Sequence, residues 1–315
     1  MRTPKRVLSL LEHEDKFLIV THINPDGDAI GSALALSLAL ESMGKETFVY
    51  DRDPVPRFYE FLPGHNRFRP DLKNILPVDP MLILLDCNSP ARAAIDEYDF
   101  RYSLVIDHHE TETDFGDTRW IKQEAAATGL MIYFLIKSLG VTMTKDMAVN
   151  LYTAISVDTG TFRYSNTTAE VLRASADLIE SGAEPNRIAD YLYETWDMKR
   201  FHLFVATLNT LEIKDDMAMI HITKEMFRKT GTRAEDTENF ANFPRVIRSV
   251  KISALLRELG NGEWKVSLRS RGDVNVARVA ELFGGGGHRN AAGYKMRAEL
   301  GSVKEALRKA SKKFS

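Results

Sequence analysis

The most constraining feature of this sequence is a series of short apolar runs that each lead into acidic residues or histidines. Four such runs occur before residue 160, and the residues that follow them are these: Phe17–Thr21 leads into His22, Asp26 and Asp28, Met81–Leu85 into Asp86, Ser103–Ile106 into Asp107, His108 and His109, and Leu151–Val157 into Asp158. Segments that end in this way describe one edge of a parallel sheet. Open α/β sheets bind their ligands at that edge.

Helical patterns separate these runs. Asp28–Met43 has apolar residues at helical spacing and is followed by Gly44, a stop signal. Met81–Leu85 and Leu104–Ile106 are continuously apolar, as expected of strands that are buried on both faces. A further strand and three further helices are predicted at Thr47–Asp51, Glu124–Leu139, Met147–Val157 and Ala169–Ser181. This alternation predicts an α/β fold with a doubly wound, mainly parallel sheet.

The pattern changes in the last third of the chain. Three alternating segments, separated by glycine-rich or charged turns, predict a smaller α/β domain with an antiparallel component: Met217–Ile222, Val250–Leu256 and Trp264–Arg269. A terminal helix is predicted at Val303–Lys312. We therefore expect a catalytic domain over residues 1–185, a helical connector over 186–210 and a substrate-binding domain over 211–315, with the active site in the cleft between the two domains.

The charge of the chain is distributed unevenly. Residues 211–315 contain 21 basic and 13 acidic side chains, a net charge of +8, which leaves −10 for residues 1–210. An acidic half that can hold cations beside a basic half that can hold phosphates suits a metal-dependent enzyme acting on an anion, with ordinary surface variation as the alternative. One cysteine, no signal peptide and no apolar stretch of roughly 20 residues predict a cytoplasmic protein without membrane association.

Carboxylates and imidazoles at one sheet edge suggest a centre for two divalent ions. Pro25 and Gly27 force a tight turn between strand and helix, although helix capping alone would explain Asp28. Adjacent histidines after a strand point to opposite faces, so that one of His108 and His109 can bind a metal while the other faces a substrate. A ligand set without thiolates favours Mn²⁺, Mg²⁺, Co²⁺ or Fe²⁺ over structural zinc, and the imidazoles favour Mn²⁺ over Mg²⁺.

The order of these motifs resembles the DHH phosphoesterase superfamily. The matching motifs are His22-Ile-Asn-Pro-Asp26-Gly-Asp28-Ala-Ile-Gly-Ser32, Asp86, Asp107-His108-His109 and Asp158-Thr-Gly160. A glycine-rich segment, Gly284-Gly-Gly-Gly-His288-Arg-Asn-Ala-Ala-Gly293, resembles the signature of the DHH-associated C-terminal domain. The chain length and the segment 158–168 are similar to the branch of bifunctional oligoribonucleases and pAp phosphatases (nanoRNase type), where pAp is 3′-phosphoadenosine 5′-phosphate.

The resemblance implies a role for each residue of the predicted centre. One metal ion would be bound by His22, Asp26 and Asp86, and a second by Asp28, Asp86, His108 and Asp158, with Asp86 bridging the two. His109 would face the scissile phosphate, where it would stabilise negative charge or protonate the leaving oxygen, and Asp107 would orient a histidine. The implied cofactors are two divalent ions, Mn²⁺ in first place, with Mg²⁺ or Co²⁺ as alternatives.

Residues of the C-terminal domain are expected to hold the substrate. A run of glycines lets backbone N–H groups approach a phosphate closely. We expect a terminal phosphate or nucleotide to contact Arg269, Ser270, Gly285, Gly286, Gly287 and His288. A solvated turn is the alternative for Arg269.

The leading hypothesis is a Mn²⁺-dependent two-metal phosphoesterase that hydrolyses short RNA oligonucleotides and dinucleotides to mononucleotides, and pAp to AMP. A phosphodiesterase for linear or cyclic dinucleotides, a single-strand DNA exonuclease of the RecJ type and a non-catalytic nucleotide sensor are the alternatives. Family II inorganic pyrophosphatases share the N-terminal motifs, but the segment Gly284–Gly293 disfavours that class. The family resemblance also suggests a homodimer.

Overall fold

The computed structural model describes residues 1–75, 79–109 and 113–313. The chain divides into two compact units, Met1–Thr195 and Trp196–Ser315, so the division falls within the segment 186–210 that was predicted as a connector. None of the helices in the described ranges has the length and apolarity that crossing a membrane requires.

The first unit is built on a six-stranded parallel sheet with the order β3-β2-β1-β4-β5-β6. Its strands are β1 (Lys16–Val20), β2 (Glu46–Tyr50), β3 (Phe68–Arg69), β4 (Met81–Leu85), β5 (Ser103–Asp107) and β6 (Thr118–Ile121). Every residue of β4 and β5 is buried, which explains the continuously apolar runs Met81–Leu85 and Leu104–Ile106. Because β1, β4 and β5 are neighbours at the centre of the sheet, the residues that follow them lie at one edge.

The helices of the first unit are α1 (Lys5–His13), α2 (Gly27–Ser42), α3 (Leu72–Ile75), α4 (Thr128–Ser138), α5 (Lys145–Asp158), α6 (Ala169–Glu180) and α7 (Pro185–Tyr193). Short 3₁₀ turns lie at Arg57–Tyr59, His65–Arg67 and Ala91–Ala93. The buried helix α2 packs closely on α5 at Gly31, where an added Cβ would collide with the backbone oxygen of Asn150. This close packing fixes the start of α2 relative to α5.

The second unit contains a mixed six-stranded sheet with the order β11-β12-β10-β9-β8-β7. Its strands are β7 (Glu212–Lys214), β8 (Met217–Ile222), β9 (Ile252–Gly260), β10 (Glu263–Ser270), β11 (Gly286–His288) and β12 (Ala291–Arg297). Within the described residues of this sheet, β8 and β9 pair in parallel and the other neighbouring strands pair antiparallel. The helices are α8 (Met198–Leu208), α9 (Lys224–Thr230), α10 (Val276–Glu281) and α11 (Leu300–Ser311), with 3₁₀ segments at Ala234–Thr237 and Phe240–Val246.

The predicted fold class, a parallel-sheet α/β unit followed by a smaller sheet-containing unit, is confirmed. Several element boundaries differ from the prediction. The helix predicted from Glu124 begins at Thr128, because residues 122–127 form a turn in which the Ala125 amide donates to the Lys122 carbonyl. Part of the glycine-rich segment is the short strand β11, paired antiparallel with β12. Helix α1 and strand β6 were not predicted.

Candidate metal centre

Three neighbouring strand ends bring the predicted ligands of the first unit together. His22 and Asp26 follow β1, Asp86 follows β4, and Asp107 ends β5, directly before His108 and His109. Asp28 and Asp158 come from helices instead: Asp28 lies in the first turn of α2, and Asp158 is the last residue of α5. The helix predicted at Met147–Val157 is therefore confirmed as α5, and it delivers Asp158 to the same place as the three strand ends.

Asp86 occupies the centre of this group. Its Oδ2 lies 3.4 Å from Nε2 of His22, and its Oδ1 lies 3.4 Å from Nε2 of His108. The Asp86 backbone has φ of 55°, in the left-handed region where asparagine and aspartate are the most tolerated residues other than glycine. Each of its carboxylate oxygens thus faces a different imidazole.

The two imidazoles are oriented by backbone carbonyl groups. Nδ1 of His22 lies 3.1 Å from the Ile23 oxygen, and Nδ1 of His108 lies 3.0 Å from the Ala125 oxygen. A carbonyl oxygen only accepts, so each Nδ1 carries the hydrogen, and in the neutral ring Nε2 keeps its lone pair. Such contacts orient ligating histidines in metal sites, and here both Nε2 atoms are directed at carboxylates.

Asp28 connects the starts of helices α2 and α4. Its two carboxylate oxygens accept hydrogen bonds from the backbone amides of Thr128 and Gly129, each at 2.7 Å, and Oδ1 also accepts one from Ser32 Oγ at 3.1 Å. Oδ2 lies 3.6 Å from Nε2 of His108, and Asp158 approaches the same nitrogen at 3.2 Å. The carboxylate of Asp28 therefore contacts His108 and the start of α4, and it does not cap α2.

Asp26 is the residue that caps α2. Its Oδ1 accepts hydrogen bonds from the backbone amides of Asp28 at 2.9 Å and Ala29 at 3.1 Å. An ionised carboxylate at a helix N-terminus is stabilised by these amides and by the helix dipole. The capping role that was weighed for Asp28 thus belongs to Asp26, whose carboxylate also lies beside His22 and Asp86.

Ligand atoms in the described residues form three overlapping groups, within each of which all atoms lie within 4.8 Å of one another. The groups are His22, Asp26 and Asp86; Asp28, His108 and Asp158; and Asp86, His108 and His109. The first group contains the ligands that the resemblance implies for one ion. The second contains those implied for the other ion except Asp86, which lies beside His108 of that group. Oxygen and imidazole donors without thiolate suit Mn²⁺, Mg²⁺ or Co²⁺, so the residues fit the implied divalent ions.

The electrostatics of the group favour a bound cation. Burial raises the pKa of Asp28 well above its usual range, and the charges of Asp86 and Asp158 add to this. Burial, joined by the charges of Asp26 and Asp86, also raises the pKa of Asp158, against the contact with His108. These carboxyl groups cannot all ionise at low cost unless positive charge is nearby, which divalent ions would supply.

Protonated imidazoles supply that positive charge in the metal-free protein. Burial alone would raise the pKa of Asp86, but hydrogen bonds from His108 and His22 hold it well below its usual range. Burial alone would lower the pKa of His22, but the hydrogen bond with Asp86 and the charge of Asp26 raise it to about 9. Metal binding must therefore displace a proton from His22.

His109 is held by Asp107. Its Nδ1 lies 2.7 Å from Oδ1 of Asp107 and 3.8 Å from Oδ1 of Asp86. Asp107 is completely buried and also accepts hydrogen bonds from Asn88 Nδ2 at 2.6 Å and the His108 amide at 2.8 Å. Burial would raise the pKa of Asp107, but the contact with His109 lowers it. Asp107 thus contacts the ring of His109.

The predicted substrate residues of the second unit lie around β10 and β11. The guanidinium of Arg269 donates to the carbonyl of Leu268 at 3.0 Å, and Ser270 is buried, with its hydroxyl donating to the carbonyl of Val274 at 2.8 Å. Gly286 and Gly287 belong to β11, which Gly285 directly precedes. The side chain of His288 lies outside the described part of the chain. Substrate contacts for these residues stay predictions.

Sequence reasoning missed the residues that support the centre. The hydroxyl of Thr128 donates to Oδ1 of Asp86 at 2.9 Å, in addition to the amide contact with Asp28. Gly129 lets α4 approach closely, since an added Cβ would lie 3.2 Å from Oδ1 of Asp28. The run of small residues Ala125-Ala-Ala-Thr-Gly129 was the available signal, because a small-residue segment before an apolar helix permits such close approach.

Comparison with known proteins identifies matching families and relatives. The DHH family N-terminal domain matches residues 16–155, and the DHHA1 domain matches residues 217–315. A bifunctional oligoribonuclease and PAP phosphatase NrnA from Thermus thermophilus is 36% identical, covering 93% of this chain and 87% of the relative. A cyclic-di-AMP phosphodiesterase GdpP from Geobacillus thermodenitrificans is 26% identical, covering 98% of this chain and 50% of the relative.

A solved structure extends the similarity to the fold. The crystal structure of an exopolyphosphatase-related protein from Bacteroides fragilis matches with a TM-score of 0.88 and 29% identity. The match covers 98% of this chain and 95% of that one, so both units have counterparts in the solved structure.

Proposed function

Because this chain belongs to the DHH family of phosphoesterases, we propose that it is a divalent-metal-dependent hydrolase that cleaves short RNA oligonucleotides to mononucleotides and converts pAp to AMP. The observation that carries the proposal is the set of ligand groups around Asp86. The similarity over almost the whole chain to a bifunctional oligoribonuclease and PAP phosphatase supports this choice of substrates.

We assign the metal ligands as two sets that share Asp86. One set comprises His22, Asp26 and Asp86, and the other comprises Asp28, Asp86, His108 and Asp158. Ions held there would act as Lewis acids on phosphate oxygens. The mixture of carboxylates and imidazoles supports Mn²⁺ as the preferred ion, with Mg²⁺ or Co²⁺ as alternatives.

His109 is the proposed catalytic residue beside the ligands. With Nδ1 donating to Asp107, Nε2 is the nitrogen that, in the protonated ring, can donate a proton or a hydrogen bond to a phosphate. Two roles are open to this nitrogen: it can donate a proton to the leaving oxygen, or a hydrogen bond to the phosphate oxygen on which negative charge develops. Asp107 is a positioning residue, since it fixes the ring and is itself fixed by Asn88.

The second unit is proposed to hold the part of the substrate that is not cleaved. Gly286 and Gly287 belong to the edge strand β11, where a phosphate can approach the backbone without meeting side chains, and Gly285 directly precedes them with its N–H donating to the Ala280 carbonyl at 3.0 Å. Arg269 lies opposite Ala291 of β12, which in turn lies opposite His288 of β11, so the predicted substrate residues share one end of the sheet.

A phosphodiesterase for linear or cyclic dinucleotides is the second candidate function, favoured by the similarity to a cyclic-di-AMP phosphodiesterase that covers 98% of this chain. That relative is about twice as long as the region it shares with this chain. It is 26% identical to this chain, against 36% for the oligoribonuclease and PAP phosphatase, so we rank this function second. A non-catalytic nucleotide sensor is disfavoured, because every ligand of the proposed centre is present.

Initial rates on a matched set of substrates test the proposal. With saturating Mn²⁺, the protein is expected to hydrolyse a labelled RNA dinucleotide, a trinucleotide and pAp faster than a decanucleotide, cyclic di-AMP or pyrophosphate. Preference for linear or cyclic di-adenylate would transfer the assignment to the second candidate. The absence of turnover on every substrate would refute the proposed activity.

A further inference from the structure

The chain winds back on itself directly after Asp158, the last residue of α5. Three consecutive residues, Gly160, Thr161 and Phe162, have φ of 57°, 58° and 61°, in the left-handed region. A β-branched or aromatic residue rarely adopts this conformation, and such strain persists only where the surrounding structure enforces it, often at functional sites. The position of this turn beside a predicted metal ligand therefore requires an explanation.

Backbone hydrogen bonds hold the turn against the end of α5. The Thr161 amide donates to the Ser156 carbonyl at 2.7 Å. The amides of Arg163 and Tyr164 both donate to the Thr159 carbonyl at 3.0 Å. These bonds close the turn tightly, so that the residues after it return to the place where the helix ends.

The side chain of Asn166 is what the turn brings back to the metal centre. Its Nδ2 donates to the carbonyl of Asp158 and to the carbonyl of Ala126, each at 3.1 Å. Because both partners are carbonyl oxygens, the amide nitrogen with its two hydrogens is the atom that faces them. The adjacent Ala125 carbonyl is the one that orients His108, at 3.0 Å from Nδ1. One side chain thus joins the backbone of one predicted ligand to the turn that orients another.

These contacts form a closed ring around one metal position. Nε2 of His108 lies 3.2 Å from Oδ2 of Asp158, and both residues belong to the ligand group that includes Asp28. His108 follows strand β5, whereas Asp158 ends helix α5, so their separation depends on how the two elements are held together. Asn166 ties the end of α5 to residues 125–126, and it therefore helps to set the distance between the two ligands.

The other ligand group is oriented by different contacts. Nδ1 of His22 contacts the Ile23 carbonyl, and Asp26 accepts from the backbone amides of Asp28 and Ala29 at the start of α2. His22 and Asp26 lie between β1 and the first turn of α2, far in sequence from the segments that Asn166 joins. A change at Asn166 should therefore disturb one metal position more than the other.

We propose that Asn166 is a positioning residue for the metal position formed by Asp28, His108 and Asp158, and that the left-handed turn places its amide there. The inference rests on the proposed function, since it assumes two ions that share Asp86. Residues that hold ligands in place lower the cost of assembling a site around the ion. Loss of the amide should therefore release one ion selectively and leave the other bound.

Titration of the metal-free Asn166→Ala protein with Mn²⁺, measured by calorimetry and by low-temperature electron paramagnetic resonance, tests the proposal. Mutation of a residue that orients metal ligands typically weakens metal binding by about 10–100-fold. One bound equivalent should be weakened by that factor, and the other should stay within about threefold of its affinity in the unmodified protein. At Mn²⁺ concentrations that give the unmodified protein a coupled-pair spectrum, the variant should show an isolated ion.

Asn166→Leu is a second variant, which removes the same donors and keeps the approximate size of the side chain. Asn166 is half-buried, so both variants are expected to fold, as circular dichroism would report. Rates on an RNA dinucleotide should decrease in both variants and recover as Mn²⁺ is raised, because the ligands themselves are retained. A defect of folding alone would not depend on Mn²⁺ in this way.

Asn150→Ala is the matched control on the same helix. Asn150 is completely buried, its Nδ2 donates to the Pro63 carbonyl at 3.0 Å, and it lies about 12 Å before Asp158 along α5. It should lower the thermal midpoint and leave both bound equivalents and the coupled spectrum unchanged, which separates positioning from stability.

Folded Asn166 variants that bind both equivalents with unmodified affinity, or that lose both equally, would overturn the role of Asn166. If the unmodified protein itself binds fewer than two Mn²⁺ ions per chain, the proposed centre fails instead. The two failures are therefore distinguishable.

Discussion

Replacing Thr128 by valine is expected to weaken Mn²⁺ binding by about 10–100-fold while leaving the fold intact. Thr128 is completely buried, and its hydroxyl donates to Oδ1 of Asp86 at 2.9 Å. Hydrogen bonds to charged groups contribute about 1.5–3 kcal/mol, and each 1.4 kcal/mol corresponds to about a tenfold change in affinity. Valine keeps the side-chain shape and the backbone amide, so the 2.7 Å contact to Asp28 persists. The substitution therefore removes the hydrogen bond to Asp86 and keeps the one to Asp28.

Calorimetric titration of the metal-free protein with Mn²⁺ measures this loss, and circular dichroism in the presence of a chelator reports whether the variant is folded. Thr207→Val is the matched control, because Thr207 is equally buried but its hydroxyl donates within its own helix to the Leu203 carbonyl at 2.7 Å. A Thr128→Val protein that binds Mn²⁺ within about twofold of the unmodified protein would refute the reasoning that Thr128 supports a metal-binding Asp86.

Asp86→Ala and Asp86→Asn should both abolish hydrolysis, and Asn should be the more stable variant because it tolerates φ of 55° better than alanine. Near-normal turnover of Asp86→Ala would remove the bridging role, and Asp177→Asn, outside the site, serves as the control. Gly285→Ala should lower the thermal midpoint, because its Cβ would collide with the Gly293 carbonyl, whereas Gly286→Ala should not. Equal midpoints would contradict the packing argument. Because the pKa of His22 is raised to about 9 in the metal-free protein, the stability that the charged ring contributes is complete below pH 6.5 and disappears as the pH rises through 9. Mn²⁺ affinity should increase over the same interval, and His22→Gln should flatten that profile in calorimetric titrations.

Much of the fold could be predicted because its central strands have an unambiguous pattern. β4 and β5 are buried on both faces, so all of β4 and the centre of β5, Leu104–Ile106, are apolar. β6 alternates between buried and exposed residues over only four positions, which is too short for periodicity to distinguish it from a loop. The alanines at 125–127 favour a helix by propensity, yet tertiary contacts hold them in a turn whose Ala125 oxygen contacts His108.

In the candidate site too, some residues could be predicted from the sequence and others could not. The strand-end residues could be predicted because parallel strands deliver their C-terminal ends to one edge. Thr128 could not, because its contact with Asp28 joins residues 100 positions apart and depends on where α4 begins.

The central claim, two metal ions that share Asp86, is tested most directly by low-temperature electron paramagnetic resonance of the protein titrated with Mn²⁺. The ligand groups on either side of Asp86 predict two bound equivalents per chain and, at saturation, the spectrum of an exchange-coupled Mn²⁺ pair. A single bound equivalent, or two equivalents whose spectra remain those of isolated ions, would contradict the shared centre.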